Sequence, residues 1–170
     1  MQASPVSRPF LATQLALALA LSSPLAQAGP AEDAQEAFSK FFPAFVSRNQ
    51  AAVAAMFVPG AQFYGTLSPT LVTDTAGVRQ YFTNALDRPD KTEAVPLTLT
   101  ATALTDSIVL LAGSWRVDRT LDGKLVQGGP LRMTAVMQKR DGQWVVVQFH
   151  NSQRPAPPAP PTPPQPPASR

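Results

Sequence analysis

Leu131–His150 reads LRMTAVMQKRDGQWVVVQFH. Two runs, Leu131–Lys139 and Gln143–His150, flank Arg140-Asp141-Gly142, and that arrangement reads as a β-hairpin. Just upstream, Gly128-Gly129-Pro130 breaks the ladder, as a bulge or a delayed strand start does. Asp122-Gly123 marks a further turn, and Ile108–Val117 is apolar on both faces, as a central strand is. Before it, Val95, Leu97, Leu99 and Ala101 alternate with Pro96, Thr98, Thr100 and Thr102, which predicts a strand with one buried face.

The period changes toward the N-terminus. Over residues 31–48, Ala34, Phe38, Phe41, Phe42 and Phe45 recur at helical spacing. Glu32, Asp33 and Glu36 occupy the first turns, where the helix dipole favours them. Pro43 is expected to kink this helix by removing one backbone hydrogen bond. Asn49 suits the N-cap of a second helix, Gln50–Phe57, stopped by Pro59-Gly60. Residues 61–66 read as a strand, and Thr75–Leu86 as a third helix capped by Thr73 or Asp74. Helices first and a curved antiparallel sheet after them give an α+β fold.

The flanks differ from this domain. Arg8 precedes an apolar run from Phe10 to Leu21, followed by Ala26-Gln27-Ala28, the pattern of a signal peptide over residues 1–28 with cleavage after Ala28. The run is shorter than the roughly 20 residues that span a bilayer, so the mature chain is expected to be periplasmic or secreted and not held in a membrane. Residues 155–170, PAPPAPPTPPQPPASR, cannot build a core; they predict a mobile polyproline II spacer. Residues 29–154 remain for one domain.

Composition narrows the function classes. Without residues 1–28, which hold one charged residue, 13 Lys and Arg face 11 Asp and Glu, and no basic run exceeds Lys139-Arg140. Nucleic acid is not an expected partner. The chain has no cysteine, which excludes disulfides, thiolate metal sites and a thiol nucleophile. A single histidine, His150, with no carboxylate near it in sequence cannot fill a tetrahedral metal shell, so neither a metal nor another cofactor is expected.

Three stretches carry a resemblance. They are Pro59–Thr66 (PGAQFYGT), Arg79–Asn84 (RQYFTN), and Arg140-Asp141-Gly142-Gln143-Trp144 with Phe149-His150-Asn151-Ser152 and Pro155. In these the chain resembles the nuclear transport factor 2-like (SnoaL-like) superfamily, above all the association domain of calcium/calmodulin-dependent protein kinase II and its free-standing bacterial relatives. The match spans about residues 31–155. The resemblance implies a first helix lying across a strongly bent sheet, a cone with a pocket inside, and an outer sheet face that builds dimers or larger rings. It also implies pocket arginines able to receive carboxylates. No kinase domain accompanies it here.

Five residues are candidates for a ligand site: Tyr64, Trp115, Arg116, Arg132 and His150. The resemblance puts Arg116 on a pocket arginine and His150 on the histidine of the FHxS motif. Arg116 is also a charge inside an otherwise apolar strand, which must find a partner or solvent. A three-residue loop at Arg140-Asp141-Gly142 would set Arg132 opposite His150; a four-residue loop would separate them. Tyr64 and Trp115 are candidate pocket walls. Two arginines of the association-domain pattern are missing, replaced by Asn151 and Ala135.

These features predict an exported domain that binds a small molecule, carboxylated or otherwise polar-tipped, and associates with itself as a homodimer or larger ring. An oligomerisation module without ligand is the first alternative. A small enzyme of the isomerase, cyclase or hydrolase type on the same fold is the second. Such enzymes need a carboxylate buried in the cone, whereas Asp106, Asp122 and Asp141 sit at turns and only Asp118 lies near a strand interior, so no catalytic residue is assigned.

Overall fold

The computed structural model describes residues 28–155. The signal-peptide reading of the N-terminus, apart from Ala28, and the tail from Ala156 onward lie outside them.

The helical part comprises α1 (Pro30–Ser39), α2 (Phe41–Val46), α3 (Gln50–Ala55) and α4 (Thr75–Leu86). Pro30 stands in the first turn of α1, with Glu32 and Asp33 beside it. The expected kink lies at Lys40 and not at Pro43. A proline ring collides with the carbonyl four residues before it, so the helix breaks one turn upstream and Pro43 falls within the first turn of α2. Asn49 caps α3 by accepting a hydrogen bond from the Ala52 N–H. That helix ends at Ala55 and not Phe57, which opens the first strand. Asp74 caps α4, accepting from the Gly77 N–H at 2.7 Å.

The strands are β1 (Phe57–Tyr64), β2 (Lys91–Thr105), β3 (Ile108–Leu121), β4 (Lys124–Val126), β5 (Leu131–Arg140) and β6 (Gln143–Gln153). They form one sheet in the order β1-β6-β5-β3-β2, with β4 paired to β3. Every pairing is antiparallel except β1 with β6, which is parallel. Asp122-Gly123 and Asp141-Gly142 make two-residue turns with positive φ at both positions, as the right-handed twist of a tight hairpin requires. Gly128-Gly129-Pro130 delays the start of β5 to Leu131.

Bulges bend the sheet and reset which side chains face inward. Leu97 is the extra residue on β2, so Ala94, Leu99 and Ala101 pack on the core. Leu97 is 44% exposed and Val95 lies beside Arg116, which corrects the expectation that both belong to the buried row. Val147 is the extra residue on β6. Helices cover the inner face, where Phe38, Phe41, Phe63, Phe82 and Phe149 interlock with centroid distances of 5.5–6.3 Å. All five are essentially buried. At about 1.5–3 kcal/mol for each buried phenylalanine, this cluster fixes the helices against the sheet.

Candidate functional site

A cavity of about 260 Å³ opens between α2, α4 and the inner face of the sheet. Its wall is aromatic: Phe41, Phe45, Tyr81, Phe82, Trp115 and Phe149. Trp115, on β3, meets Phe41, Phe42 and Phe45 edge-on at 5.3–5.8 Å. Its indole N–H donates to the Asn151 side-chain oxygen at 2.9 Å, and the Asn151 amide donates to the Thr66 hydroxyl at 2.6 Å. Asn151 is one of two polar side chains buried among the described residues, and this chain of bonds satisfies it.

Three arginines reach the cavity from three different elements: Arg48 between α2 and α3, Arg88 after α4, and Arg119 on β3. Arg48 holds φ of 55°, left-handed for a side-chain-bearing residue. The Arg48 N–H donates to the Phe45 carbonyl and the Asn49 N–H to the Ala44 carbonyl, the bonding of a helix end that usually carries glycine at this position. Arg48 lines the cavity, and its guanidinium donates to the Asp90 carbonyl. The side chains of Arg88 and Arg119 have no hydrogen-bond or ion-pair partner among the described residues. None of the described residues around the cavity is Asp or Glu.

Tyr81 supplies a hydroxyl to the same wall and accepts the Leu67 N–H at 3.5 Å. Burial pushes its phenol above the ordinary value, against the hydrogen bonds from Leu67 and Thr66 that pull it down. A Cβ at Gly65 would stand 2.2 Å from the Tyr81 ring, so glycine there lets the ring lie against the chain.

The structure separates the five residues expected at the site. Trp115 lines the cavity; Tyr64, Arg116, Arg132 and His150 sit on the outer face of the sheet. The physical reason is strand alternation: neighbours along a strand point to opposite sides, so Trp115 and Arg116 cannot both face inward. Inward come Trp115, Val117 and Arg119 on β3, and Phe149, Asn151 and Gln153 on β6. Arg116 donates through Nε to Asp118 at 2.9 Å. Asp118, 3% exposed, also accepts the Gly128 N–H. The Arg116 hydrogen bond, aided by the one from Gly128, holds the Asp118 carboxyl below its ordinary value although burial works the other way. Arg132 does not stand opposite His150. The two-residue turn pairs Arg140 with Gln143, and the Val147 bulge then pairs Thr134 with His150 and Arg132 with Ser152. Arg132 and His150 are diagonal neighbours on the outer face, and Tyr64 flanks His150 with ring centroids 6.2 Å apart.

Curved sheet, covering helices and enclosed cavity define a cone-shaped domain of the nuclear transport factor 2-like class. The family model of the SnoaL-like domain matches residues 34–157, and the chain belongs to that family. Among solved structures it is similar to one from Xanthomonas campestris described as a calcium/calmodulin dependent protein kinase II association domain, with 27% identity and a TM-score of 0.62 over 69% of this chain and 83% of that one. It is also similar to the kinase II hub homology domain of Chlamydomonas reinhardtii (20% identity, TM-score 0.62, 72% of this chain and 97% of that one). A third is an NTF2-like protein with a cystatin-like fold from Novosphingobium aromaticivorans (14% identity, TM-score 0.63, 72% and 80%). No curated protein matches it in sequence.

Proposed function

We propose that this chain is an exported domain that binds a small organic anion, with carboxylates the best fit, and pairs with a second copy through its outer sheet face. One observation carries the ligand reading: three arginines from three separate elements converge on an aromatic cavity whose described wall holds no acid. Aromatic faces take a flat or apolar body, and unpaired guanidinium groups take its charged tip. The same absence of a carboxylate leaves an isomerase or cyclase mechanism of the carboxylate type without its base at this wall.

Mass spectrometry of small molecules released from the mature protein tests the reading. An acidic molecule, retained by the native chain and reduced in Arg88→Ala and Arg119→Ala, is the expected result. Each charge-assisted bond lost costs roughly 1.5–3 kcal/mol, so each variant should weaken binding about 10- to 100-fold. A released set containing only neutral molecules would overturn it.

Self-association draws support from the similar structures described as an association domain and a hub homology domain. One row of the outer face runs Tyr64, His150, Thr134, Ala112 and Thr100 across five strands, and all but Ala112 are exposed among the described residues. Light scattering of the mature chain should give a dimer or a larger ring, and Thr134→Arg, at the centre of that row, should yield monomer. Export is part of the same proposal, and N-terminal sequencing of the mature protein should begin at Gly29.

A further inference from the structure

The arginine-bearing cavity uses no residue of the stretch Arg140-Asp141-Gly142-Gln143-Trp144, whereas a second cleft takes its wall from it. This cleft encloses about 560 Å³ between α1, α3 and the turn end of the β5–β6 hairpin, and shares no residue with the first.

Its lining carries both signs of charge. Asp33 and Glu36 stand three residues apart on α1 and so share a helix face. Lys40, where α1 gives way to α2, and Lys139, near the end of β5, bring ammonium groups to the same cleft. No ion pair joins these four among the described residues, whose ion pairs are Lys91 with Glu93 and Arg116 with Asp118. Glu36 and Lys40 have a spacing that pairs within a continuous helix, but α1 ends at Ser39, before the lysine. Ala37, Ala52 and Met56 supply the apolar part of the lining.

Trp144 adds the second observation. It pairs with Lys139 across the hairpin, and the Lys139 ammonium lies 5.8 Å from the centre of its ring. Its indole N–H is buried without an acceptor, the one side-chain polar atom of the described residues left in that condition. Trp115, by contrast, gives its N–H to Asn151. A buried donor with no partner is rare in a folded domain. The ring is only half-buried, and over it lies an exposed lysine with a flexible stem, so an arriving acceptor does not meet a sealed core.

We propose that this cleft is a second binding site, for a zwitterion of amino-acid to dipeptide size. Its ammonium sits with Asp33 and Glu36, and its carboxylate with Lys40, Lys139 and the Trp144 N–H. Charge decides the class: a ligand of one sign would leave two acids or two lysines uncompensated. Two charge-assisted contacts of opposite sign also fix which way round the ligand lies. Size agrees, because clefts of roughly 300–1,000 Å³ take whole small molecules. The site is separate from the arginine-bearing cavity, so either reading can fail without the other.

Titration of the full mature chain with the dipeptide L-alanyl-L-leucine tests the proposal, read on the indole N–H signals. The chain has two tryptophans, and each reports one site: Trp144 the cleft, Trp115 the other cavity. The dipeptide at millimolar concentration should move the Trp144 N–H downfield, as a donor gaining an acceptor does. Its N-acetyl form, which lacks the ammonium, and its C-terminal amide, which lacks the carboxylate, should each bind about tenfold more weakly or worse. The double variant Asp33→Asn, Glu36→Gln and the single variant Lys139→Gln should each weaken the response roughly 3- to 10-fold, with the signals of the sheet in place. A Trp144 signal that stays put throughout would overturn the proposal, as would movement of Trp115 alone. An N-acetyl dipeptide as effective as the free one, or a response untouched by the double variant, would overturn it too, because the acids would then have no part in binding.

Discussion

Replacing Asn151 by alanine tests the innermost polar feature of the cavity. Asn151 accepts the Trp115 indole N–H at 2.9 Å and donates to the Thr66 hydroxyl at 2.6 Å, while being 6% exposed. Indole has only a donor, so the oxygen of the Asn151 amide must face Trp115 and its nitrogen must face Thr66. Alanine removes the one acceptor that the described residues give the indole N–H. An orphaned buried donor costs about 1–3 kcal/mol. At roughly 4 °C per kcal/mol for a domain of this size, the melting temperature should fall by about 4–12 °C. The decisive assay is a double-mutant cycle by thermal or urea unfolding with Trp115→Phe. In that background no indole N–H remains to be orphaned, so Asn151→Ala should cost about 1 kcal/mol less than in the native chain. An identical cost in both backgrounds would refute the coupling and with it the role of Asn151 as the partner that holds Trp115 in the cavity wall.

Other consequences follow from the same geometry. Gly128→Ala sets a Cβ 2.1 Å from the Val117 carbonyl oxygen, a backbone atom that cannot swing aside; it should destabilise by about 1–3 kcal/mol, whereas Gly129→Ala, with nothing within 4 Å, should be nearly neutral by calorimetry. Arg48→Gly relieves a left-handed arginine but removes its bond to the Asp90 carbonyl, so stability should stay within about 1 kcal/mol while affinity for an anion drops about tenfold or more. Asp118 is held below its ordinary value, so its contribution is present above the unfolded carboxyl range, near pH 4, and disappears as pH falls through the lower folded value. Urea midpoints followed from pH 7 to pH 2 should accordingly lose less in Asp118→Asn than in the native chain.

Much of the fold is legible in the sequence because its signals are local. Asn49 and Asp74 announce helix starts through their own side chains, and Asp122-Gly123 marks its turn; at Arg140-Asp141-Gly142 the hairpin is legible but its turn has two residues and not the three or four expected. The site is less legible because it depends on parity. Alternation from Trp115 would have led to Val117 and Arg119, and from Phe149 to Asn151 and Gln153. A motif-based reading prefers the conspicuous neighbours Arg116 and His150, which face the other way. The bulge at Val147 carries no local marker and the one at Leu97 only the neighbouring Pro96, yet each shifts the register beyond it and thereby decides which residues meet Val95 and Arg132. Arg48 and Arg88 lie in connections, where no periodicity exists to say which side chains converge. Only the packing of α2 and α4 on the sheet brings them to the same opening as Arg119.

The claim that this opening receives an organic anion is tested most directly by comparing an acid with its neutral isostere. Benzoate and benzamide have the same ring and nearly the same shape, and differ chiefly in the charge that a described wall with three arginines and no acid should distinguish. The measurement is the indole N–H signal of Trp115 in the full mature chain, titrated with each compound, with Trp144 as the internal reference. The account predicts that benzoate shifts Trp115 alone, that benzamide leaves it in place at the same concentrations, and that Arg119→Ala weakens the benzoate response about 10- to 100-fold. Equal responses to the two compounds, or a benzoate response untouched by Arg119→Ala, would contradict it.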